Sequence, residues 1–118
     1  MMADTTAFEL VTPARVMIAR DAGMVVAPGV EGLFGVLPRH APLISTLQRG
    51  VVEVYDNGQI TDRIMVDGGI ADVTPDSVTI LTERAEDLNK SNTQEIGERA
   101  KAASEAEADF LKEVEAAL

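Results

Sequence analysis

The chain has no cysteine and no tryptophan, one histidine and one tyrosine among its 118 residues. Without cysteine there is neither a disulfide framework nor a thiolate nucleophile. One histidine with no cysteine cannot make a zinc cluster. Aromatic residues are only 3% of the chain, too few for the stacking platforms of a sugar-binding sandwich, so Val, Ile, Leu and Ala must fill any core. Bases are also scarce, with 10 Lys and Arg against 20 Asp and Glu, a net charge of −10. Nucleic acid is therefore not an expected partner, because phosphate binding needs a basic face. An anionic lipid surface is disfavoured for the same reason. No apolar run approaches the ~18–20 residues of a membrane span, so no direct membrane insertion is expected. The opening "MMADTTAFELV" has an early acid and no early base. It reads as neither signal peptide nor presequence, which predicts a cytoplasmic protein that meets a membrane only through a partner.

What is present is a core-forming composition, 46% hydrophobic, arranged as short alternating runs. "FELVT", "RVMIARD", "GMVVAPG" and "PLISTLQ" read as strands, as do "GIADVT" and "SVTILTE" on either side of Pro75-Asp76. "VVEVYDNGQITDRIMV" is the clearest unit: two alternating strands around Asn57-Gly58, the strongest short hairpin signal. Asp67-Gly68-Gly69 reads as another turn. Eight to ten short strands at this spacing predict an all-β sandwich or barrel. After Leu88 the composition shifts to Ala, Glu and Lys without proline. A capping box is available at Ser91 with Gln94 or at Asn92 with Glu95. The spacing of Ile96, Ala100, Ala103, Phe110 and Val114 predicts a helix over residues 93–117, roughly 38 Å long. Its mostly alanine stripe predicts weak docking. The expected organisation is a β-sandwich domain over residues 1–86 and a short helical segment over 87–118.

No catalytic constellation stands out. A Ser45–His40–Asp67 set can be drawn, but no nucleophile elbow supports it. Gly29-Val30-Glu31-Gly32 is glycine-rich, yet no helix pattern follows it, as a phosphate loop requires. His40 is expected to hold backbone in an irregular loop. The stretch "GVEGLFGVLPRHAPL" is the most unusual of the chain. Gly29, Gly32 and Gly35 permit backbone angles closed to other residues, and Pro38 and Pro42 fix φ. These residues predict a rigid protrusion. Phe34 is expected to fold into the core and Leu33 to lie exposed, where an apolar tip suggests a contact.

That stretch resembles the signature of the epsilon subunit of bacterial F-type ATP synthases, G-x-x-G-x-[FL]-G-[VI]-[LY]-P-x-H-A-P-L. Gly29, Gly32, Phe34, Gly35, Val36, Leu37, Pro38, His40, Ala41, Pro42 and Leu43 match it, and Leu47 and Gly50 follow in step. "VDGGIADVTPDSVTIL" is similar to the family's later strands at Gly68, Gly69, Val73, Val78, Thr79, Ile80 and Leu81. The resemblance spans roughly residues 7–85. It implies a ten-stranded β-sandwich followed by a helical part, in a non-catalytic subunit of the central stalk. Such a subunit binds the gamma subunit and the c ring, is assembled with alpha and beta, and couples proton translocation to ATP synthesis. The expected place is the cytoplasmic face of the bacterial cell membrane, as a peripheral subunit.

Carried over, the c-ring contacts are Glu31, Gly32, Leu33, Arg39 and His40, shaped by Gly29, Gly35, Pro38 and Pro42. Many members of the family have a small residue, often glycine, where this chain has Arg39. Some members bind ATP through [IL]-D-x-x-R-A on the first helix. Here Arg99 and Ala100 fit, but Glu95 and Ile96 hold the leading positions, so the motif is degenerate and neither ATP nor another cofactor is expected. The family's inhibitory helical hairpin is longer; the short C-terminus leaves room for one helix or two very short ones and implies a weak or absent inhibitory role. The alternative reading is a generic β-sandwich interaction module in another assembly. A small hydrolase is a weaker third reading, for want of paired carboxylates or a nucleophile.

Overall fold

The computed structural model describes residues 5–89 and 93–118, with side chains omitted at 93–95. Eight strands precede two helices: β1 Thr6–Val11, β2 Val16–Ala22, β3 Met24–Gly29, β4 Gly32–Val36, β5 Leu43–Asp56, β6 Gln59–Val73, β7 Ser77–Leu81, β8 Ala85–Asp87, α1 Thr93–Ala102 and α2 Glu105–Ala117. The strand order is β2-β1-β7-β6-β5-β3-β4, with β8 added to β6. β1 and β7 run parallel, and every other pair is antiparallel.

Among the described residues eight strands, not ten, build the sandwich, because β5 and β6 each serve both layers. The runs "PLISTLQ" and "VVEVYD" are one 14-residue strand, and "QITDRIMV" continues through "GGIADV" for 15 residues. Asp67-Gly68-Gly69 is therefore not a turn but the place where β6 bends while still pairing with β5, Arg49 against Asp67 and Leu47 against Gly69. Gly68 and Gly69 carry positive φ, 77° and 128°, which only glycine adopts without strain. A Cβ at Gly69 would strike the Leu81 carbonyl oxygen. The Asn57-Gly58 hairpin forms as the sequence predicts, with φ of 53° and 77° and Asp56 facing Gln59. Pro75-Asp76 forms the second turn, closed by Thr74 N–H on the Ser77 carbonyl at 2.8 Å.

Inward positions obey the two-residue period of strands. Ala71, Ile80, Leu10 and the half-buried Ile18 lie side by side across four strands. Val52 faces Ile64, with Val54 and Val66 beside them. The sandwich core holds seven valines and a single aromatic ring, Phe8, among its fifteen buried residues, the aliphatic filling that the composition predicts.

The C-terminal segment is two short helices, the second of the two arrangements its length allows, and not one helix over residues 93–117. Ser104 is extended (φ −63°, ψ 163°) and the chain folds back on itself there. The sequence signal was Ser104 with Glu107 three residues later, an N-terminal spacing, although the Ser104 hydroxyl makes no cap bond. The physical reason is distance. In one straight helix Phe110 would lie roughly 21 Å from Ile96. The break instead brings Ile96 and Ala100 of α1 together with Phe110, Leu111 and Val114 of α2, over Met65 and Leu88. All seven are buried, so the docking is more extensive than the alanine stripe suggests. The Ser91 and Asn92 capping expectations lie outside the described residues.

Polar contacts tie the hairpin to the sheet. Arg99 pairs with Glu86 of β8 at 2.6 Å. Arg49 donates from Nε to Asp67 Oδ1 at 2.8 Å, and Arg84 donates to the other Asp67 oxygen at 2.8 Å. Arg49 also lies 5.7 Å from the centre of the Phe110 ring and 3.5 Å from the Glu113 carboxylate. Burial works to raise the Asp67 carboxyl, but hydrogen bonds from both guanidiniums outweigh it and hold the group below its ordinary range. The same Asp67 bond lifts Arg49 above its ordinary value, against the opposing effect of desolvation.

Candidate functional site

The stretch singled out in the sequence is half strand. β3 and β4 form a hairpin whose turn is Val30-Glu31, with Gly29 facing Gly32. Two of its glycines are required for different reasons. Gly32 has a φ of 129°. Gly29 has an ordinary backbone, but a Cβ there would meet the Gly32 carbonyl at 2.9 Å and the Phe34 ring at 3.0 Å. Gly35 has neither a positive φ nor a close neighbour; its nearest atom is Met24 Sδ at 3.8 Å. Phe34 packs half-buried against the core and Leu33 is 73% exposed, as the sequence predicts for each.

Beyond β4 the chain crosses to β5 through Leu37–Pro42. His40 N–H closes a turn on the Leu37 carbonyl at 3.2 Å, and Arg39 N–H bonds the Pro75 carbonyl at 3.0 Å. Arg39 sits at a φ of 68°, the left-handed region that favours glycine. That is the physical reason glycine suits this position. His40 Nδ1 lies 2.6 Å from the Ala41 carbonyl, a local backbone role. Ser45, His40 and Asp67 each have other partners: Ser45 bonds the Thr46 carbonyl and Asp67 is held by two arginines. Glu31, Gly32 and Leu33 stand at the start of β4, and Arg39 and His40 follow its end. About 14 Å of strand separates the two groups along the chain. The candidate contacts form an edge with two parts rather than one point.

A second surface was not anticipated from the sequence. On the outer face of the layer that contains β1, the register aligns Val16 with Val11, Val11 with Leu81, and Leu81 with Ile70. Val16 is 52% exposed, and Leu81 and Ile70 are 45% exposed. A groove of about 410 Å³ runs beside this row, lined by Val11, Pro13, Ile70, Leu81 and Thr82 among others. Ile44, 73% exposed, lies on the same face one row away, opposite Asp72. The outer face of an antiparallel sheet is ordinarily polar; an apolar row there marks a contact. The available signal was the doubled apolar residues Ile80-Leu81 and Leu10-Val11, whose second members fall out of phase with the core.

Arg99 and Ala100, the remnant of the nucleotide motif, are engaged in docking: Arg99 pairs with Glu86, and Ala100 is buried in the helix cluster. Among the described residues no group of three or more acidic or imidazole side chains is placed to hold a metal ion. No helix there is long and apolar enough to cross a membrane.

Residues 5–88 match the family model described as ATP synthase, Delta/Epsilon chain, beta-sandwich domain. The chain belongs to this family. The ATP synthase epsilon chain of Rhodospirillum rubrum is 46% identical over 112 residues, covering 95% of this chain and 81% of that one. The epsilon chain of Hyphomonas neptunium is 47% identical over 102 residues, covering 86% and 76%. Among solved structures, a chain from the Euglena gracilis mitochondrial ATP synthase, solved by cryo-EM as OSCP/F1/c-ring, superposes with a TM-score of 0.68. It is 23% identical, over 97% of this chain and 76% of that one. A chain from the Tetrahymena thermophila mitochondrial ATP synthase central stalk and c ring gives 0.61 at 12% identity, over 76% and 72%. At these identities the two structures bear on the fold alone, and the fold agrees.

Proposed function

We propose that this chain is a non-catalytic rotor subunit of an F-type ATP synthase, linking the gamma subunit to the c ring and coupling proton translocation to ATP synthesis. The observation that carries the reading is family membership over residues 5–88, joined to an exposed edge around Leu33 and an exposed apolar row on the sheet. The edge with Glu31, Gly32, Leu33, Arg39 and His40 is assigned to the c ring, with Gly29, Gly35, Pro38 and Pro42 shaping it. The row Val16–Val11–Leu81–Ile70 is assigned to gamma. Alpha and beta subunits complete the assembly. The subunit works at the cytoplasmic face of the bacterial membrane, held there by its partners. Residues 1–86 act as the contact domain. The helical segment, residues 87–118, has a weak or absent inhibitory role, because it is short.

The test is co-purification of the tagged chain from detergent-solubilised membranes. Recovery of gamma, c, alpha and beta with wild-type protein is expected. Leu33→Asp combined with His40→Ala is expected to lose the c ring, and Leu81→Asp to lose gamma, each with the circular dichroism of the folded domain unchanged. Failure of the wild type to recover any of these subunits refutes the rotor reading. Full recovery by both variants refutes the surface assignments. The generic interaction module is the reading that remains if other proteins are recovered instead.

A further inference from the structure

We propose that Asn57-Gly58 is a self-modifying site: in the folded chain the Gly58 nitrogen closes on the Asn57 side chain, and the turn converts to aspartate and isoaspartate. The inference stands whether or not the rotor assignment holds, because the turn belongs to neither candidate contact surface.

Three observations carry it. First, the reacting groups are unheld. Residues 57–60 are exposed. Among the described residues no hydrogen bond engages the Asn57 side-chain amide or the Gly58 N–H. Asn89 is the contrast: its side-chain amide donates to the Thr61 carbonyl at 3.0 Å, and lysine follows it. Second, the backbone is part-way to the reactive form. Asn57 has a φ of 53°, close to the roughly +60° that a type II′ turn needs at its first central position. Flipping the central peptide converts the present type I′ turn to type II′, the other turn that suits a two-residue hairpin. The flip takes Asn57 ψ to roughly −120° and Gly58 φ from 77° to roughly −80°. Glycine accepts both values. At that ψ the Gly58 nitrogen eclipses the Asn57 Cβ, as a planar five-membered ring requires. Third, the outer side is open. Nothing lies within 4 Å of a Cβ built at Gly58. The inner side is pinned by the Gly23 N–H on the Tyr55 carbonyl at 2.7 Å, so the flip leaves the pairing of Tyr55 with Ile60 in place.

The step balances with water as the one co-reactant. The Gly58 nitrogen bonds Asn57 Cγ, the Cγ–Nδ2 bond breaks, and Nδ2 leaves as ammonia with the Gly58 amide proton. Water then opens the cyclic imide. Attack at Cγ gives aspartate. Attack at the Asn57 main-chain carbonyl gives isoaspartate, whose backbone runs through the side chain and is one carbon longer. Either product adds a negative charge beside Asp56. Only isoaspartate breaks the two-residue register of Asp56 with Gln59.

The experiment incubates the full chain in mildly alkaline buffer, folded or unfolded in urea, and follows residue 57 by peptide mass spectrometry. Electron-transfer fragmentation separates the two products. The folded chain is expected to react within about tenfold of the unfolded chain, a flip costing about 1.4 kcal/mol. Reaction only through global unfolding would be slower by about a thousandfold or more. Protection beyond about a hundredfold therefore overturns the proposal, and less supports it. Asn89 in the same folded sample is expected to stay intact; conversion of Asn89 as fast as Asn57 overturns the role given to the turn. Freshly purified Asn57→Asp carries the charge without the extra carbon. It is expected to keep wild-type hydrogen exchange at Tyr55 and Ile60, while the isoaspartyl form, isolated by ion exchange, speeds both severalfold. Equal rates in the two forms overturn the break in register.

Discussion

Gly58 and Gly69 both have positive φ, 77° and 128°, yet alanine at the two positions should have very different costs. Around Gly58 nothing lies within 4 Å of an added Cβ. Gly58→Ala therefore carries only the conformational penalty of a left-handed residue, about 1–2 kcal/mol. The loss of chain entropy in the unfolded state offsets about 0.4–1 kcal/mol of that. The net destabilisation is about 1 kcal/mol. At Gly69 the added carbon strikes the Leu81 carbonyl oxygen and lies 3.1 Å from Thr82 Cα. Neither atom is the end of a flexible side chain. Relief requires β6 to move away from β7, against the pairing of Ile70 with Leu81. Overpacking of this kind adds about 1–3 kcal/mol to the conformational penalty, so Gly69→Ala should cost about 3 kcal/mol or more. Ordinary domains hold only about 5–15 kcal/mol in total. Urea unfolding is the assay. With a slope of about 1–3 kcal/mol per molar, the Gly69→Ala midpoint should fall by about 1–3 M and the Gly58→Ala midpoint by about a third of that. Equal midpoints for the two variants would refute the argument that crowding at the bend of β6, rather than backbone sign alone, demands glycine there.

Three further outcomes are expected. Arg39→Gly removes a left-handed penalty of about 1–2 kcal/mol but adds unfolded-state freedom of about 0.5–1 kcal/mol, so thermal unfolding should shift upward slightly; a clear drop would show that the Arg39 side chain itself supports the loop. Gly97→Ala should stabilise α1 by about 1 kcal/mol, because the new Cβ meets only the terminal Glu115 Oε2, at 2.7 Å, which can swing aside; slower hydrogen exchange in α1 is the readout. Asp67 contributes stability that is fully present above the ordinary carboxyl value of 3.8 and is lost as pH falls below it through the lowered folded-state value; Asp67→Asn should flatten the acid side of a urea-midpoint profile over that range while lowering the midpoint at neutral pH.

The comparison of sequence with structure follows the range of each interaction. The Asn57-Gly58 hairpin was legible because its turn and its two flanking strands are neighbours in the chain, and the required φ is a property of those two residues. The loop from Gly29 to Leu43 was legible as a shaped feature, and Leu33 and Phe34 were assigned to opposite sides, because glycine and proline act on their own backbone. The same stretch hid β4, since a strand interrupted by Gly35 carries little period of its own and forms by pairing with β3.

Local pattern also set the helical character of the C-terminus and its buried face. What it did not set was the fold-back at Ser104. That depends on Met65 and Leu88, residues well upstream in sequence, which offer one apolar surface too short for a straight helix. The apolar row Val16–Val11–Leu81–Ile70 likewise exists only after four strands align in register. Arg49 shows no motif of any kind, and its partners are brought to it from two other elements, Asp67 from β6 and Phe110 and Glu113 from α2. The sequence by itself determined the β-sandwich class, the Asn57-Gly58 and Pro75-Asp76 turns, the helical character of the C-terminus and the family. Tertiary structure alone decided the continuity of β5 and β6 across both layers, the fold-back at Ser104 and the apolar outer row, because each is a relation between distant residues that no window of the chain contains.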